Sequence, residues 1–490
     1  MERGPITNNI PSVEYQPETQ DREKNELKEI LGKFVESSTI PAITLINQRI
    51  SIIWKILWLC IVGVGLGMSI YQSVELIKNY MRRPSTLIEV EQMNRSQYFP
   101  SITLGYSNKV NWSKAKTLYP SLFHKKMNGS EEEEILNEIH HLSRSEKDKI
   151  LFHHTDWLKG CSIQKLDGRS IDCGTLSKDF MVPVYSPFYG WSVTINPGFH
   201  GEFRLKEDTR STLTLMVELP DDTEHSPPSS PRSISVAIHG TGTAPVLPFS
   251  KELNVLPGGY LFASISVYEI NRLPHPFASN CTSHDDPISI AIVESSPYAH
   301  NIGSNKYEYS LEECAAICLQ RGTVALYKCV NSMFATDPSI DEITKKICNL
   351  ENLDENYMEF LEDNICNQFC HKRCHEFIYD WTPISYEIPR ENDFVSVLFK
   401  MMHPDLEISK INETEYLNRL MIISLKMGSP LYKVGTEEAK YELQDVLGSI
   451  GGNLGLWIGV SMLSFFEIIE LILQLLTLCI CRRVQRVESK

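Results

Sequence analysis

Two long hydrophobic runs, one near each end of the chain, constrain its fold more than any other feature. The first covers residues 52–70 and has a single charged member, Lys55. About twenty apolar residues cross the roughly 30 Å hydrocarbon layer of a bilayer, so this run has the length of one span. The second run, residues 446–481, contains only Glu467 and Glu470 as charged residues. It is too long for one straight span, which predicts a second span with a break, a bend or a strong tilt.

The segment between the runs is expected to lie outside the cell. It carries nearly all of the net charge of −15, which argues against a nucleic-acid partner. It also contains every N-x-S/T glycosylation pattern in the chain, and these patterns predict modification at Asn94, Asn111, Asn128, Asn280 and Asn412. Both termini are then cytoplasmic, and the net positive tail after the second run agrees with this orientation in a plasma membrane.

These boundaries divide the chain into five parts. The predicted parts are a cytoplasmic segment at 1–51, a first membrane helix at 52–77, an extracellular domain at 78–445, a pore-lining segment at 446–481 and a cytoplasmic tail at 482–490. The chain therefore has membrane lipid as a partner, whatever else it binds.

The cysteines agree with an extracellular domain. Ten of the thirteen lie between the runs, an even number that five disulfides would use. Zinc is the alternative for Cys366, Cys370 and Cys374, because His371 and His375 are interleaved with them. We favour disulfides and expect no metal and no cofactor. No catalytic motif supplies a nucleophile or a base, so an enzyme is not predicted.

The second run has a glycine pattern that fits a pore. Gly451, Gly455 and Gly459 recur every four residues on one helical face. Small residues at this spacing also serve plain helix packing, as Gly63 and Gly67 could in the first span. We favour a pore, because an over-long span implies broken backbone, which is tolerated at membrane depth only where it lines a cavity or is buried in protein.

The break is predicted at residues 459–461, and two carboxylates follow it. Glu467 and Glu470 lie on one helical face, where they would line an inner vestibule for a permeant cation such as Na⁺. The alternative places both near the cytoplasmic headgroups. Two spans cannot enclose a pore alone, so an oligomer is expected.

These residues resemble the degenerin/epithelial sodium channel superfamily over nearly the whole chain. The run from Gly451 to Ser461 is similar to the filter region of that family, and residues 99–104 (FPSITL) are similar to its F-P-A-V-T motif. The resemblance implies an α+β membrane protein, with two membrane helices flanking a disulfide-rich ectodomain that has a central antiparallel β-sheet and peripheral helices. It also implies an amiloride-sensitive, sodium-selective homo- or heterotrimer. The implied filter is Gly459, Val460 and Ser461, and the implied pore lining is Ser449, Gly452, Gly455, Glu467 and Glu470.

The resemblance also implies a disulfide pattern that uses all ten ectodomain cysteines. The implied pairs are Cys161–Cys173, Cys281–Cys374, Cys314–Cys370, Cys318–Cys366 and Cys329–Cys348. One further family bridge is absent, because Gly105 and Ser192 stand where its two cysteines usually lie.

Two departures bear on gating. Pro41 and Ala42 replace the family's His-Gly pair in the gating segment before the first span, and Ser449 replaces an acidic residue of acid-sensing members. The large acidic ectodomain favours an extracellular ligand as the stimulus. The alternatives are an ATP-gated type of trimeric channel, a non-conducting two-span receptor or an ecto-enzyme.

Overall fold

The computed structural model describes most of the chain. The described residues are 18–40, 51–94, 96–123, 135–136, 138–139, 142–176, 179–199, 206–208, 210–221, 232–246, 251–283, 285–298, 307–335, 348, 356–390, 392–403 and 413–488. They form two compact units, one built from the two ends of the chain and the other from Ser85–Glu438.

The helices of the terminal unit are α1, α2, α12 and α13, and the remaining helices belong to the ectodomain. In chain order the helices are α1 (Glu18–Ser37), α2 (Ile52–Met81), α3 (Trp112–Leu118), α4 (Arg144–Ile150), α5 (His154–Trp157), α6 (Pro287–Glu294), α7 (Leu311–Tyr327), α8 (Tyr357–Leu361), α9 (Asn367–Phe369), α10 (Asn392–Met402), α11 (Glu413–Leu417), α12 (Leu443–Ile458) and α13 (Met462–Glu488).

Within the described residues, two helices are long and apolar enough to cross a membrane. They are α2, with a mean hydropathy of 1.9, and the part of α13 from Met462 to Ile480, with a mean hydropathy of 2.0. Their apolar side chains are mostly exposed within the chain, as expected for helices that face lipid or other subunits.

The ectodomain is built on β-sheets. Its strands are β1 (Ser85–Met93), β2 (Ser96–Tyr98), β3 (Ser101–Tyr106), β4 (Leu158–Gln164), β5 (Ser170–Asp172), β6 (Met181–Ser186), β7 (Gly190–Ile195), β8 (Lys206–Asp208), β9 (Thr212–Glu218), β10 (Ile234–His239), β11 (Glu252–Val255), β12 (Gly259–Asn271), β13 (His375–Glu387), β14 (Leu420–Met427) and β15 (Leu431–Ala439).

The larger sheet has eight strands and is mixed, which corrects the expected antiparallel sheet. Its order is β1-β15-β12-β14-β9-β4-β5, with β13 also paired to β12. Most neighbours are antiparallel, but β12 runs parallel to both β14 and β15. The long strand β12 largely alternates buried and partly buried residues, whereas nearly every residue of β14 is buried, as expected for a strand covered on both faces.

A five-stranded antiparallel sheet, in the order β11-β10-β3-β7-β6, packs against the eight-stranded one. Side chains from both sheets share one buried hydrophobic cluster, which includes Leu104 and Val236 from the smaller sheet and Leu215, Ile265 and Ile423 from the larger. Burial of this shared surface is the main source of stability for such a layered domain.

Gly105 lies on β3, where the family's absent bridge would have one cysteine. A Cβ built at this position would lie 2.6 Å from Cγ of Tyr189. The Tyr189 ring therefore occupies the space beside Gly105 and leaves no room for a disulfide. The other position, Ser192, is completely buried on β7.

Five disulfides brace the ectodomain. The bonded pairs are Cys161–Cys173, Cys281–Cys374, Cys314–Cys370, Cys318–Cys366 and Cys329–Cys348, the same pairs that the resemblance implies. The sulfurs of Cys366, Cys370 and Cys374 are therefore not available as zinc ligands. Two of the bonds tie α7 to the segment that follows α8.

Candidate pore segment

The second membrane segment breaks at the predicted position. Gly459 ends α12 with φ of 73° and ψ of 19°, in the left-handed region that glycine adopts at low cost. Its N–H donates to the carbonyl of Gly455 at 3.1 Å, which is the single bond of a left-handed helix cap. Val460 N–H donates to the carbonyl of Leu454 at 3.4 Å. The chain therefore changes direction at Gly459, while the carbonyls of Leu454 and Gly455 still accept backbone hydrogen bonds.

Ser461 starts the next helix. Its hydroxyl accepts a hydrogen bond from Ser464 N–H at 3.3 Å, the pattern of a serine that caps a helix amino end. The two hydroxyls also lie 3.2 Å apart. Ser464 is buried while Ser461 is exposed. The break thus presents a short stretch of backbone and one serine hydroxyl, polar groups that a permeant ion could contact.

The first membrane helix packs closely against α12 at a glycine. A Cβ built on Gly65 would lie only 2.7 Å from the carbonyl oxygen of Trp457, whereas Gly63 and Gly67 have open space around them. Gly65 therefore takes the packing role that the sequence suggested for the other two, because it lies on the opposite side of the helix from them. Trp457 Nε1–H also donates to Gln72 Oε1 at 3.0 Å.

The remaining glycines of α12 have open surroundings within the chain. A Cβ on Gly448, Gly451 or Gly452 would meet no heavy atom within 4 Å, and one on Gly455 would meet only the Val460 carbonyl, at 3.7 Å. Ser449 is also exposed. This face of α12 is free to approach other helices or an aqueous path.

Glu467 accepts hydrogen bonds from the segment that precedes the first membrane helix. Its Oε2 accepts from Thr39 N–H at 3.0 Å and from the Ser38 hydroxyl at 3.3 Å. The Thr39 hydroxyl lies 3.3 Å from the Ser464 hydroxyl. The sequence marked Glu467 as a vestibule carboxylate but gave no sign of these partners, which are more than 400 residues away. Glu470 is exposed, and its Oε1 accepts from Gln474 at 3.2 Å.

The residues predicted for gating and for glycosylation are not among the pore residues described above. Pro41, Ala42, Asn128 and Asn412 lie outside the described residues. Of the other glycosylation positions, Asn94 and Asn111 each use Oδ1 to accept a backbone N–H, from Ser96 and Lys114 respectively. The Asn280 amide nitrogen lies 3.2 Å from His371 Nε2 and is only half-exposed.

The ectodomain contains a cavity of about 500 Å³ beside the end of β13. Its lining mixes apolar and polar groups, among them Leu256, Tyr260, Tyr386 and Arg390. The two tyrosine rings stack with centroids 6.1 Å apart. This volume lies in the range of small-ligand pockets. Among the described residues, no group of histidine, cysteine and carboxylate side chains is arranged to hold a metal ion.

Comparison with known proteins agrees with a channel architecture. The family described as amiloride-sensitive sodium channel matches residues 34–471. Degenerin-like protein asic-2 of Caenorhabditis elegans is 22% identical, over 90% of this chain and 85% of its own. Acid-sensing ion channel 1A of Danio rerio is 23% identical, over 92% and 89%. Degenerin unc-8 of Caenorhabditis elegans is 24% identical over 71% of this chain, which spans only 43% of that protein.

Proposed function

Because the chain belongs to the amiloride-sensitive sodium channel family, a family of ion channels and not of enzymes, we propose that it is a subunit of a sodium-selective, amiloride-sensitive channel of the plasma membrane. In this proposal Gly459, Val460 and Ser461 form the filter. The backbone break at Gly459 is the observation that supports it best, because such a break is tolerated at membrane depth only beside a cavity or inside protein. Membership of this family argues against the ATP-gated type of trimeric channel.

Three subunits, identical or related, would enclose the pore. The open face of α12 at Gly448, Gly451 and Gly452 supports close approach of neighbouring pore helices, since small residues let helix backbones come together. Ser449, Gly452, Gly455, Glu467 and Glu470 would then line the path. Chemical cross-linking of the full chain in native membranes should give a ladder that ends at three subunits.

An extracellular ligand would open the channel, with both termini in the cytoplasm. The ectodomain cavity beside Tyr260 and Tyr386 supports a ligand stimulus, because it has the size and mixed lining of small-ligand sites. The segment with Pro41 and Ala42 would take part in gating, since the adjoining Ser38 and Thr39 are bonded to Glu467.

Whole-cell current in cells expressing this chain alone tests the proposal. Peptides, acid and membrane stretch are applied in turn, external sodium is replaced by a large impermeant cation, and amiloride is added last. A sodium current that amiloride blocks and that Gly459→Arg abolishes is the expected result. Silence of a surface-expressed chain under every stimulus would overturn the homomeric form, and silence with every related subunit would favour the non-conducting receptor.

A further inference from the structure

Glu313 is a charged residue in a position where charge is costly. It lies in the first turn of α7 with 0% of its surface exposed. Carboxylates are almost never fully buried unless they are paired, because an isolated ion loses its hydration. Glu313 has no ion-pair partner among the described residues, and one of its two oxygens, Oε2, accepts no hydrogen bond.

The partners of Glu313 are few and uncharged. Oε1 accepts a hydrogen bond from the Ser296 hydroxyl, which follows α6 and is itself buried. The backbone N–H of Glu313 donates to the Ser310 hydroxyl at 3.1 Å, but the carboxyl group does not turn back to the helix end. Its position near the amino end of α7 favours a negative charge, but this effect is small beside the loss of hydration of a buried ion.

Among the described residues, the titratable groups that face Glu313 are Tyr298, Tyr307 and Tyr309, and none of them adds positive charge. Tyr298, in the segment after α6, and Tyr307, in the segment before α7, are both buried, and burial followed by the Glu313 carboxyl raises the pKa of each. Arg373 acts on the adjacent Glu312, where it opposes the effect of burial on the pKa of that carboxyl. Burial raises the pKa of Glu313 from 4.5 to about 7, and the Ser296 hydrogen bond partly opposes this rise.

The surroundings of Glu313 connect α7 to the five-stranded sheet. Tyr298 and Tyr307 belong to a buried cluster that also contains Leu319 of α7 and Val182 and Val184 of β6. An ionised carboxylate beside this cluster is unfavourable because it lacks hydration. Either it takes up a proton and stays buried, or α7 moves away from the sheet and admits water. The next residue, Cys314, is disulfide-bonded to Cys370, so such a movement reaches the braced segment directly.

We propose that Glu313 is a proton-binding site whose protonation holds the start of α7 packed against the five-stranded sheet, and whose ionisation loosens that packing. The direction of the pH dependence follows from proton linkage. Because the folded state binds the proton more tightly than the unfolded chain, the contribution of the Glu313 carboxyl to stability is fully present below pH 4.5 and is lost as pH rises through about 7. The site is independent of the proposed sodium conduction.

Hydrogen exchange of the full-length protein in detergent tests this site. Amides in the first turns of α7 and at 296–298 are followed, with rates corrected for the intrinsic effect of pH. Between about pH 6 and pH 8 the opening constant of the wild type is expected to rise about tenfold. Glu313→Gln keeps the shape of the protonated acid and should show less than about a twofold change. Glu294→Gln, an equal charge change at an exposed position of α6, should keep the wild-type rise.

A second variant covers the case in which Glu313→Gln does not fold. Ser296→Ala removes the hydrogen bond that lowers the pKa of Glu313, so the midpoint of the exchange transition should move to higher pH. The proposal is overturned if the wild type shows no rise, if Glu313→Gln retains it, or if the Ser296→Ala midpoint stays in place.

Discussion

Replacing Gly459 by alanine tests whether the helix break sets ion selectivity. An L-residue in the left-handed helical region costs roughly 1–2 kcal/mol, because its Cβ crowds the following carbonyl oxygen. Gly459 has φ of 73°, so alanine meets this cost at the end of α12. In the proposed trimer the cost is incurred three times and amounts to roughly 3–6 kcal/mol. Since about 1.4 kcal/mol is a factor of ten, the native break would lose on the order of 10² to 10⁴ in relative population.

The assay is the reversal potential of the whole-cell current with sodium and then potassium outside, together with surface biotinylation. Gly459→Ala should reach the surface but lose current amplitude or selectivity for sodium. Gly67→Ala is the matched control, because it adds the same methyl group to a membrane helix at a position in open space. Wild-type current and selectivity in Gly459→Ala, or equal damage in Gly67→Ala, would refute the assignment of the break as the filter.

Three further predictions concern packing, disulfides and the cytoplasmic segment. Gly65→Val should reduce surface expression or current because its Cβ meets the Trp457 carbonyl at 2.7 Å, and Gly67→Val should not. Serine at both cysteines of the Cys281–Cys374 bridge should lower the free energy of unfolding by roughly 3–4 kcal/mol, because the Cys314–Cys370 bond inside this loop shortens the chain that the bridge closes; a lower melting temperature in detergent is the measurement. Glu467→Ala should make a cysteine introduced at Thr39 react faster with thiol reagents, while Glu470→Ala should not, because of these two carboxylates it is Glu467 that accepts the Thr39 N–H.

The sequence was sufficient for features that depend on local pattern or composition. Two spans followed from run length, and the break at Gly459 followed from a run that was too long to be straight. The disulfide pairs came through the family resemblance, since ten cysteines alone leave many possible connectivities. A central sheet was also expected, but its mixed character was not, because the parallel pairing of β12 with β14 joins strands about 160 residues apart and leaves no local trace.

Contacts between distant segments explain the other differences. Nothing in the periodicity of the first span separates Gly65 from Gly63 and Gly67, since all three are small residues in an apolar helix, and only the position of Trp457 decides which one is in contact. The hydrogen bonds from Ser38 and Thr39 to Glu467 also join distant segments, and the local sequence does not indicate them. A serine and a threonine ahead of a hydrophobic run usually indicate a helix start or a solvated loop, not a distant carboxylate.

The sequence pattern around Glu313 indicates a different hydrogen-bond partner from the one that the structure shows. Ser310 and Glu313 have the spacing of a capping box, in which the glutamate would accept the backbone N–H of the serine and remain near solvent. The structure keeps half of that arrangement, since the Ser310 hydroxyl accepts the Glu313 N–H. The carboxyl group instead accepts a hydrogen bond from the Ser296 hydroxyl in the interior. A glutamate at an exposed helix start would stay ionised at any physiological pH. The exchange experiment therefore distinguishes the two arrangements, because only the buried carboxyl makes the packing of α7 depend on pH near neutrality.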